Sequence, residues 1–258
     1  METVKRLVVF DLDGTLAESK QAIDDEMARL FVRLLKVRPV AVISGGDWSQ
    51  FERQLLGHLP APARLQNLLL MPTSGTKFYR FDGGWKQIYA ELFAPSERQR
   101  IFSAFDQAVV EAGLADEPSW GDRVEDRGSQ ITYSGLGQHA PLAEKLRWDS
   151  DLRKRTRLKS ILELLLPGVA VRIGGSTSID ITRLGIDKAY GIRKLVEETG
   201  FGIEEMLFIG DALYPGGNDA PVRDLGVATI AVLNTGETKL VIVTVLSMFG
   251  VSDLSQPA

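Results

Sequence analysis

The sequence predicts an α/β fold: a doubly wound parallel sheet interrupted by an inserted α+β domain. Three observations predict it. Short apolar runs recur at residues 5–10, 39–43, 68–71, 206–209 and 227–232, the signature of strands buried on both faces. Stretches with apolar residues at helical spacing lie between them. The alternation breaks off near residue 84 and resumes near residue 185, so both chain ends build one unit and the middle another.

The elements follow in order. RLVVFD at 5–10 predicts the first strand, and Ala22, Ile23, Met27, Leu30, Phe31, Leu34 and Leu35 predict a helix over 20–36. PVAVI at 39–43 is a second strand, closed by Ser44-Gly45-Gly46; a helix over 48–56 and a strand over 68–71 follow. The pattern then changes. Residues 85–93 predict a strand after a Gly-Gly turn, and residues 95–113 a helix with Ser96 as N-cap. Val124 and residues 129–134 suggest strands, residues 140–166 one charged helical stretch, and residues 169–173 and 178–182 two more strands. A helix over 188–199, a strand over 206–209, a short helix over 220–225 and a strand over 227–232 restore the first rhythm. The apolar stretch 240–251 reads as a buried helix or strand. Residues 1–83 and 185–258 are thus expected to form the core, and residues 84–184 the inserted domain.

Composition narrows the function. The chain has 258 residues, 44% hydrophobic and 25% charged, ordinary values for a folded protein. A net charge of −4 argues against a nucleic-acid-binding surface. The absence of cysteine excludes disulfides, thiolate zinc sites and thiol nucleophiles. Two histidines, His58 and His139, leave no room for a histidine-rich metal site and argue against a Ser-His-Asp triad. No signal peptide is visible, and the longest apolar stretch is well short of the roughly 20 residues of a membrane helix. A cytoplasmic protein without membrane partners is expected.

The chemistry-bearing signal is Asp11-Leu-Asp13-Gly14-Thr15 directly after a buried strand. Two carboxylates at the C-terminal end of such a strand reach the crevice where open α/β sheets bind ligands. They can bind a hard cation such as Mg²⁺ and leave one oxygen free to attack. An isolated Asp-x-Asp is equally a helix cap or an Asx turn; the full DLDGT after VVF favours the site.

FDLDGTL resembles the first motif of the haloacid dehalogenase superfamily of phosphoryl-transfer enzymes. The superfamily's other motifs occur in order: Ser44 in VISGG, Lys188 opening a helix, and Gly210-Asp211 followed by Gly217-Asn218-Asp219 after the strand LFI. The resemblance implies a core domain with an inserted cap. It implies that Asp11 attacks phosphorus to form an aspartyl phosphate, and that Asp13 protonates the leaving oxygen and then deprotonates the acceptor. Ser44, Gly45 and Lys188 would hold the phosphate. Asp11, Asp211 and the Asp13 carbonyl would hold Mg²⁺, with Asn218 and Asp219 orienting Asp211 and metal-bound water from outside.

A closer resemblance covers Gly174-Gly175-Ser-Thr-Ser178-Ile-Asp180, Gly185-Ile-Asp187-Lys188, Ser44-Gly45-Gly46-Asp47 and Gly210-Asp211-x4-Gly216-Gly217-Asn218-Asp219. These look like the eukaryotic-type phosphomannomutases, whose cap lies between the second and third motifs. Ser178 and Asp180 fall on that family's sugar-contacting positions. Three cap arginines of the mutase pattern, planar forks suited to a second phosphate, fall on Arg127, Gln138 and Lys145. Arg123 and Arg172 are further cap arginines that could compensate. With two of three clamps altered, the expectation is a Mg²⁺-dependent phosphatase of a small sugar phosphate. The alternative is a phosphomannomutase or phosphoglucomutase. The mutase resemblance also implies a homodimer through the cap. The mixed-charge run 147–159 is expected to be a solvated helix face, His139 a surface residue, and Trp48, Trp85, Trp120 and Trp148 packing residues.

Overall fold

The computed structural model describes residues 4–248. The chain divides into two compact units, Met1–Ala90 with Asp187–Ala258, and Glu91–Ile186.

The first unit is built on strands β1 (Leu7–Phe10), β2 (Val40–Ile43), β3 (Leu68–Met71), β4 (Lys77–Phe81), β5 (Trp85–Ala90), β10 (Met206–Gly210) and β11 (Ala228–Ala231). They form one sheet in the order β11-β10-β1-β2-β3-β4-β5. The pairs from β11 to β3 are parallel; β4 and β5 extend the edge as an antiparallel hairpin. Val8 and Phe10 point to the face covered by α1 (Asp25–Val37) and α8 (Thr235–Met248). Leu7 and Val9 point to the other face, under α6 (Lys188–Thr199) and α7 (Ala220–Asp224). Both faces are covered, so these strands read as unbroken apolar runs. Each buried Val, Leu or Phe contributes ~1.5–3 kcal/mol. The 240–251 stretch continues α8 as a helix to Met248; residues 249–251 lie outside the described residues. Among the described residues no helix is long and apolar enough to cross a membrane.

The β4–β5 hairpin is where the structure departs from expectation. β4 has no counterpart among the expected elements, and β5 pairs in the core sheet rather than the inserted unit. The Gly83-Gly84 pair is the hairpin's turn, with Asp82 N donating to Gly84 O at 2.9 Å. Trp85 returns to pack edge-on against Phe81 and Trp48. The second unit therefore begins at Glu91 and ends at Ile186, not at 84 and 184.

That unit has an antiparallel sheet in the order β6-β7-β9-β8, made of β6 (Val124–Asp126), β7 (Gln130–Ser134), β8 (Val169–Gly174) and β9 (Ser178–Arg183). Ile131, Tyr133, Val171, Ile179 and Ile181 pack with Ile101 and Phe105 of α3 (Pro95–Glu111) and Leu158 and Leu162 of α5 (Arg153–Leu165). By strand alternation the opposite face carries polar pairs: Gln130 beside Thr182, Thr132 beside Asp180, Ser134 beside Ser178. Three local expectations change here. Ser96 lies inside the first turn of α3; the N-cap is Ala94, whose N–H is taken by the Glu97 carboxylate at 2.6 Å. The single 140–166 helix is two, α4 (Leu142–Trp148) and α5, broken where Leu152 adopts φ +63°. The 147–159 run is not all solvated either. Arg155 is 4% exposed and its Nε meets the buried Asp149 carboxylate at 2.7 Å. Asp149 in turn accepts from the Lys154 and Arg155 amides at the start of α5.

Candidate active site

Four segments of the core unit converge at the C-terminal ends of its parallel strands. β1 ends in Phe10 and delivers Asp11, which is 3% exposed. β10 ends in Gly210 and delivers Asp211, half-buried. Asp219 precedes α7 and is fully buried. Lys188 opens α6, whose N-cap Asp187 accepts from the Tyr190 amide at 2.8 Å. Its ammonium donates to Asp11 Oδ1 and Asp219 Oδ1, each at 2.5 Å. The second oxygen of Asp219 accepts from the Ala212 amide at 3.0 Å, which fixes that carboxylate.

Glycines make the convergence possible. Gly14 has φ +81°, and a Cβ there would collide with the Asp211 carboxylate. Only a residue without a side chain turns the chain left-handed and admits that approach.

One oxygen from each of Asp11, Asp211 and Asp219 can be chosen so that all three lie within 4.8 Å of one another. Three carboxylates face one lysine, so the cluster is short of positive charge. Burial, then the Asp219 and Asp211 carboxylates, push the Asp11 carboxyl up to about 7 against the pull of Lys188. Burial and Asp219 also raise Asp211. Lys188 is raised as well, because Asp11 and Asp219 outweigh its own burial. A convergent set of hard carboxylate oxygens with a deficit of positive charge fits a hard divalent cation.

The expected residues fall into three groups. Asp11, Lys188, Asp211 and Asp219 come together; Asp219 stands in the cluster itself and not outside it, and Asn218 is exposed on the same loop. Ser44 is buried after β2, its Oγ accepting from the Gly46 amide at 3.1 Å, with Gly45 beside it. The turn after β3 supports this loop: Ser74 N donates to Ser44 O at 2.8 Å and Thr73 N to Gly46 O at 2.9 Å. Asp13 turns its carboxylate to other partners, accepting from Lys20 N at 2.7 Å, Gln50 Nε2 at 2.5 Å and Gln54 Nε2 at 3.1 Å. Both glutamines belong to α2 (Trp48–Gln54), and neither is signalled by any motif.

The cap residues form the third group and lie in the second unit. Asp180 accepts from the Thr132 hydroxyl at 2.7 Å, with Ser178 two residues before it on β9. Arg127 pairs with Glu125 at 2.8 Å. Lys145 Nζ donates to the Gln138 carbonyl at 3.2 Å, so these two positions are neighbours. Arg123 is spent on the carbonyls of Leu114, Ala115 and Glu117. Arg172 is spent on Thr182 Oγ1 and Ile186 O.

A parallel sheet with an acid at the tip of β1, a serine after β2, a lysine opening a helix and two acids after β10 defines a haloacid dehalogenase-type phosphoryl-transfer enzyme. Solved structures agree on the fold. A haloacid dehalogenase-like hydrolase from Bacteroides thetaiotaomicron superposes with TM-score 0.64 at 16% identity, covering 93% of this chain and 99% of that one. An N-terminally truncated Plasmodium falciparum IMP-nucleotidase gives TM-score 0.69 at 16% identity, covering 94% and 70%. Within that class the chain belongs to the eukaryotic phosphomannomutase family, whose sequence profile matches residues 97–246. Relatives include a probable phosphomannomutase of Caenorhabditis elegans, 26% identical over 83% of this chain and 85% of its own length. A phosphomannomutase of Encephalitozoon cuniculi is 25% identical over 98% of both chains.

Proposed function

We propose that the protein is a Mg²⁺-dependent mutase of hexose phosphates, of the phosphomannomutase type, working in the cytoplasm through an aspartyl phosphate. The buried Asp11–Lys188–Asp219 network with Asp211 beside it carries the phosphoryl-transfer part of this reading. The family match and the names of the relatives support the mutase part.

Asp11 is the nucleophile: its carboxylate oxygen bonds to phosphorus as the bond from phosphorus to the sugar oxygen breaks. Asp13 gives its proton to that leaving oxygen. The aspartyl phosphate is thus formed from a hexose bisphosphate; in the other half-reaction Asp13 takes the proton of the free hydroxyl of a hexose monophosphate, phosphorus passes from Asp11 to that oxygen, and the bisphosphate so formed turns around and returns its other phosphoryl group to Asp11. Lys188 places one fixed cation against the transferring group, whose negative charge spreads over three equatorial oxygens. The Ser44 hydroxyl accepts from Gly46 N and keeps its own O–H to donate to a phosphate oxygen. Asp11 and Asp211, with the Asp13 carbonyl or Asp219, would hold Mg²⁺, which when bound offsets charge on nucleophile and phosphate. Ser178 and Asp180 are assigned to the sugar hydroxyls, and Arg127 to the distal phosphate.

The second reading is a phosphatase of a small sugar phosphate, in which water takes the phosphoryl group. It is favoured by Gln138 and Lys145, which stand where the mutase pattern has arginines. One incubation separates the two. Mannose 1-phosphate with a trace of hexose 1,6-bisphosphate should give mannose 6-phosphate faster than free phosphate. Free phosphate without isomer would select the phosphatase, and EDTA should stop either reaction.

A further inference from the structure

Asp13 is held by a clamp that no motif announces. Its Oδ2 accepts from Gln50 Nε2 at 2.5 Å. Its Oδ1 accepts from Gln54 Nε2 at 3.1 Å and from the Lys20 amide at 2.7 Å. A carboxylate only accepts, so both glutamines must present their NH₂ groups. Gln54 is 3% exposed, and its Nε2 also donates to the Gln21 carbonyl at 2.8 Å. Its main-chain oxygen accepts from Ile23 N at 2.8 Å. It therefore ties the loop before α1 to α2 as well as touching Asp13. Gln50 has a second neighbour on the other side. A Cβ at Gly46 would collide with Gln50 Oε1, so the amide lies directly against the Ser44–Gly46 loop. The glutamine thus spans the acid of one motif and the phosphate loop of another, and Gly46 is the residue that lets it.

We propose that Gln50 and Gln54 are positioning residues for phosphoryl transfer. Together they aim the Asp13 carboxylate at the leaving oxygen and keep it out of the Asp11–Asp211–Asp219 cluster. Two side chains from successive turns of one helix grip the two oxygens of one carboxylate, which leaves it a single orientation relative to the loop that holds the phosphate. Losing that aim by about an ångström is enough to slow a proton transfer by an order of magnitude or more. The inference rests on the reading of Asp13 as the group that protonates the leaving oxygen.

Leaving-group dependence tests it. A sugar alkoxide must be protonated to depart, whereas p-nitrophenolate departs unaided. In a hydrolysis assay, with inorganic phosphate as the readout and no bisphosphate added, kcat/KM reports the steps up to formation of the phosphoenzyme and departure of the alcohol. In Gln50→Leu, kcat/KM for a sugar phosphate should fall about tenfold or more, because acid catalysis contributes roughly 10²–10⁴-fold. For p-nitrophenyl phosphate it should change less than about twofold. Gln54→Leu should show the same asymmetry. Gln50→Asn, which keeps the amide on a shorter stem, should recover part of the sugar-phosphate rate. Equal losses on both substrates, or none on either, overturn the positioning role. Wild-type protein inert toward both substrates would instead overturn the assigned chemistry, so the two failures are separable. Gln50 is only partly buried, so its variants are expected to fold; a thermal melt of each accompanies the rates.

Discussion

Each unit of this protein buries a charged cluster, and the two clusters are built on opposite rules. In the insert, Arg155 and Asp149 are matched one to one. The guanidinium donates to the Asp149 carboxylate, the Asp149 carbonyl and the carbonyls of Gly174 and Gly175. The carboxylate also accepts two amides at the start of α5. Charges cancel, and the fork ties the α4–α5 break to the β8–β9 turn. In the core, Lys188 faces Asp11, Asp211 and Asp219, and Asp11 is pushed up to about 7. A balanced, saturated buried pair is architecture. An unbalanced one is a place where something charged is meant to bind, because nothing else offsets the cost of burying like charges together.

The largest expected effect follows from that asymmetry. Asp11→Asn should lower phosphoryl transfer roughly 10³-fold or more, since the amide oxygen is no nucleophile of comparable strength. The fold should survive, because the change removes one of three crowded carboxylates. Rates on a phosphate ester and a thermal melt of the same sample check both halves. Residual turnover well above a thousandth would remove Asp11 from the nucleophile's role.

Arg155→Met should do the converse, weakening the fold while leaving the core chemistry in place. Removing one partner strands Asp149 in the interior, at a cost of ~3–5 kcal/mol. Pairing it with Asp149→Leu should restore part of that loss, since an apolar pair of similar volume is often no worse than a buried ion pair. Urea midpoints of the wild type, single and double variants measure it. A single variant as stable as the wild type would mean that Arg155 and Asp149 do not hold the cap together.

The third effect is a pH dependence of opposite sign to the usual carboxylate. The Asp11 carboxyl sits at about 7 in the fold against its ordinary 3.8. Between those values the native state binds the extra proton. Its contribution is therefore fully present below about 3.8 and is lost as pH rises through 7. Metal-free protein should lose stability across that window relative to Asp11→Asn. Added Mg²⁺ should raise the wild-type Tm at neutral pH by binding the native state, and do so less in the variant. A Tm indifferent to Mg²⁺ in the wild type would contradict the metal reading of the cluster.

Much of this was legible in the sequence, and the reasons differ by region. β1, β2, β3 and β10 stand out because both of their faces are covered, and the motif residues stand out because they sit at strand ends. β4 escaped because KFYRF mixes polar and apolar residues on an edge hairpin, and the Gly-Gly turn beside it reads equally as a domain boundary. The helix break at Leu152 escaped because the charged run shows no proline or glycine; only Asp149, a capping residue, marks it. Asp219 was expected one layer out because spacing does not say which of two acids in a loop reaches Lys188. Gln50 and Gln54 escaped altogether. Two glutamines one turn apart on a helix carry no charge pattern, and their role exists only once α2 lies beside Asp13.

The smallest effect probes the contrast from the insert's surface. Glu97 takes the Ala94 amide at the start of α3 and pairs with Arg183 at 2.8 Å, with the two side chains 33% and 40% exposed. The Arg183 hydrogen bond, then the Ala94 amide, hold its carboxyl below the usual range. Its contribution is accordingly present above its ordinary value of 4.5 and is lost as pH falls through the depressed value. Solvent reaches both groups, so salt screens them. Glu97→Gln keeps an acceptor for the Ala94 amide and removes only the charge, which should cost ~0.5 kcal/mol at neutral pH. That difference should shrink at pH 3 and in 1 M salt, and paired urea melts read it directly. If the loss instead matched that of Arg155→Met and ignored salt, exposure would not be what separates a structural ion pair from an incidental one in this unit. The distinction drawn from Arg155 would then have to rest on its carbonyl contacts alone.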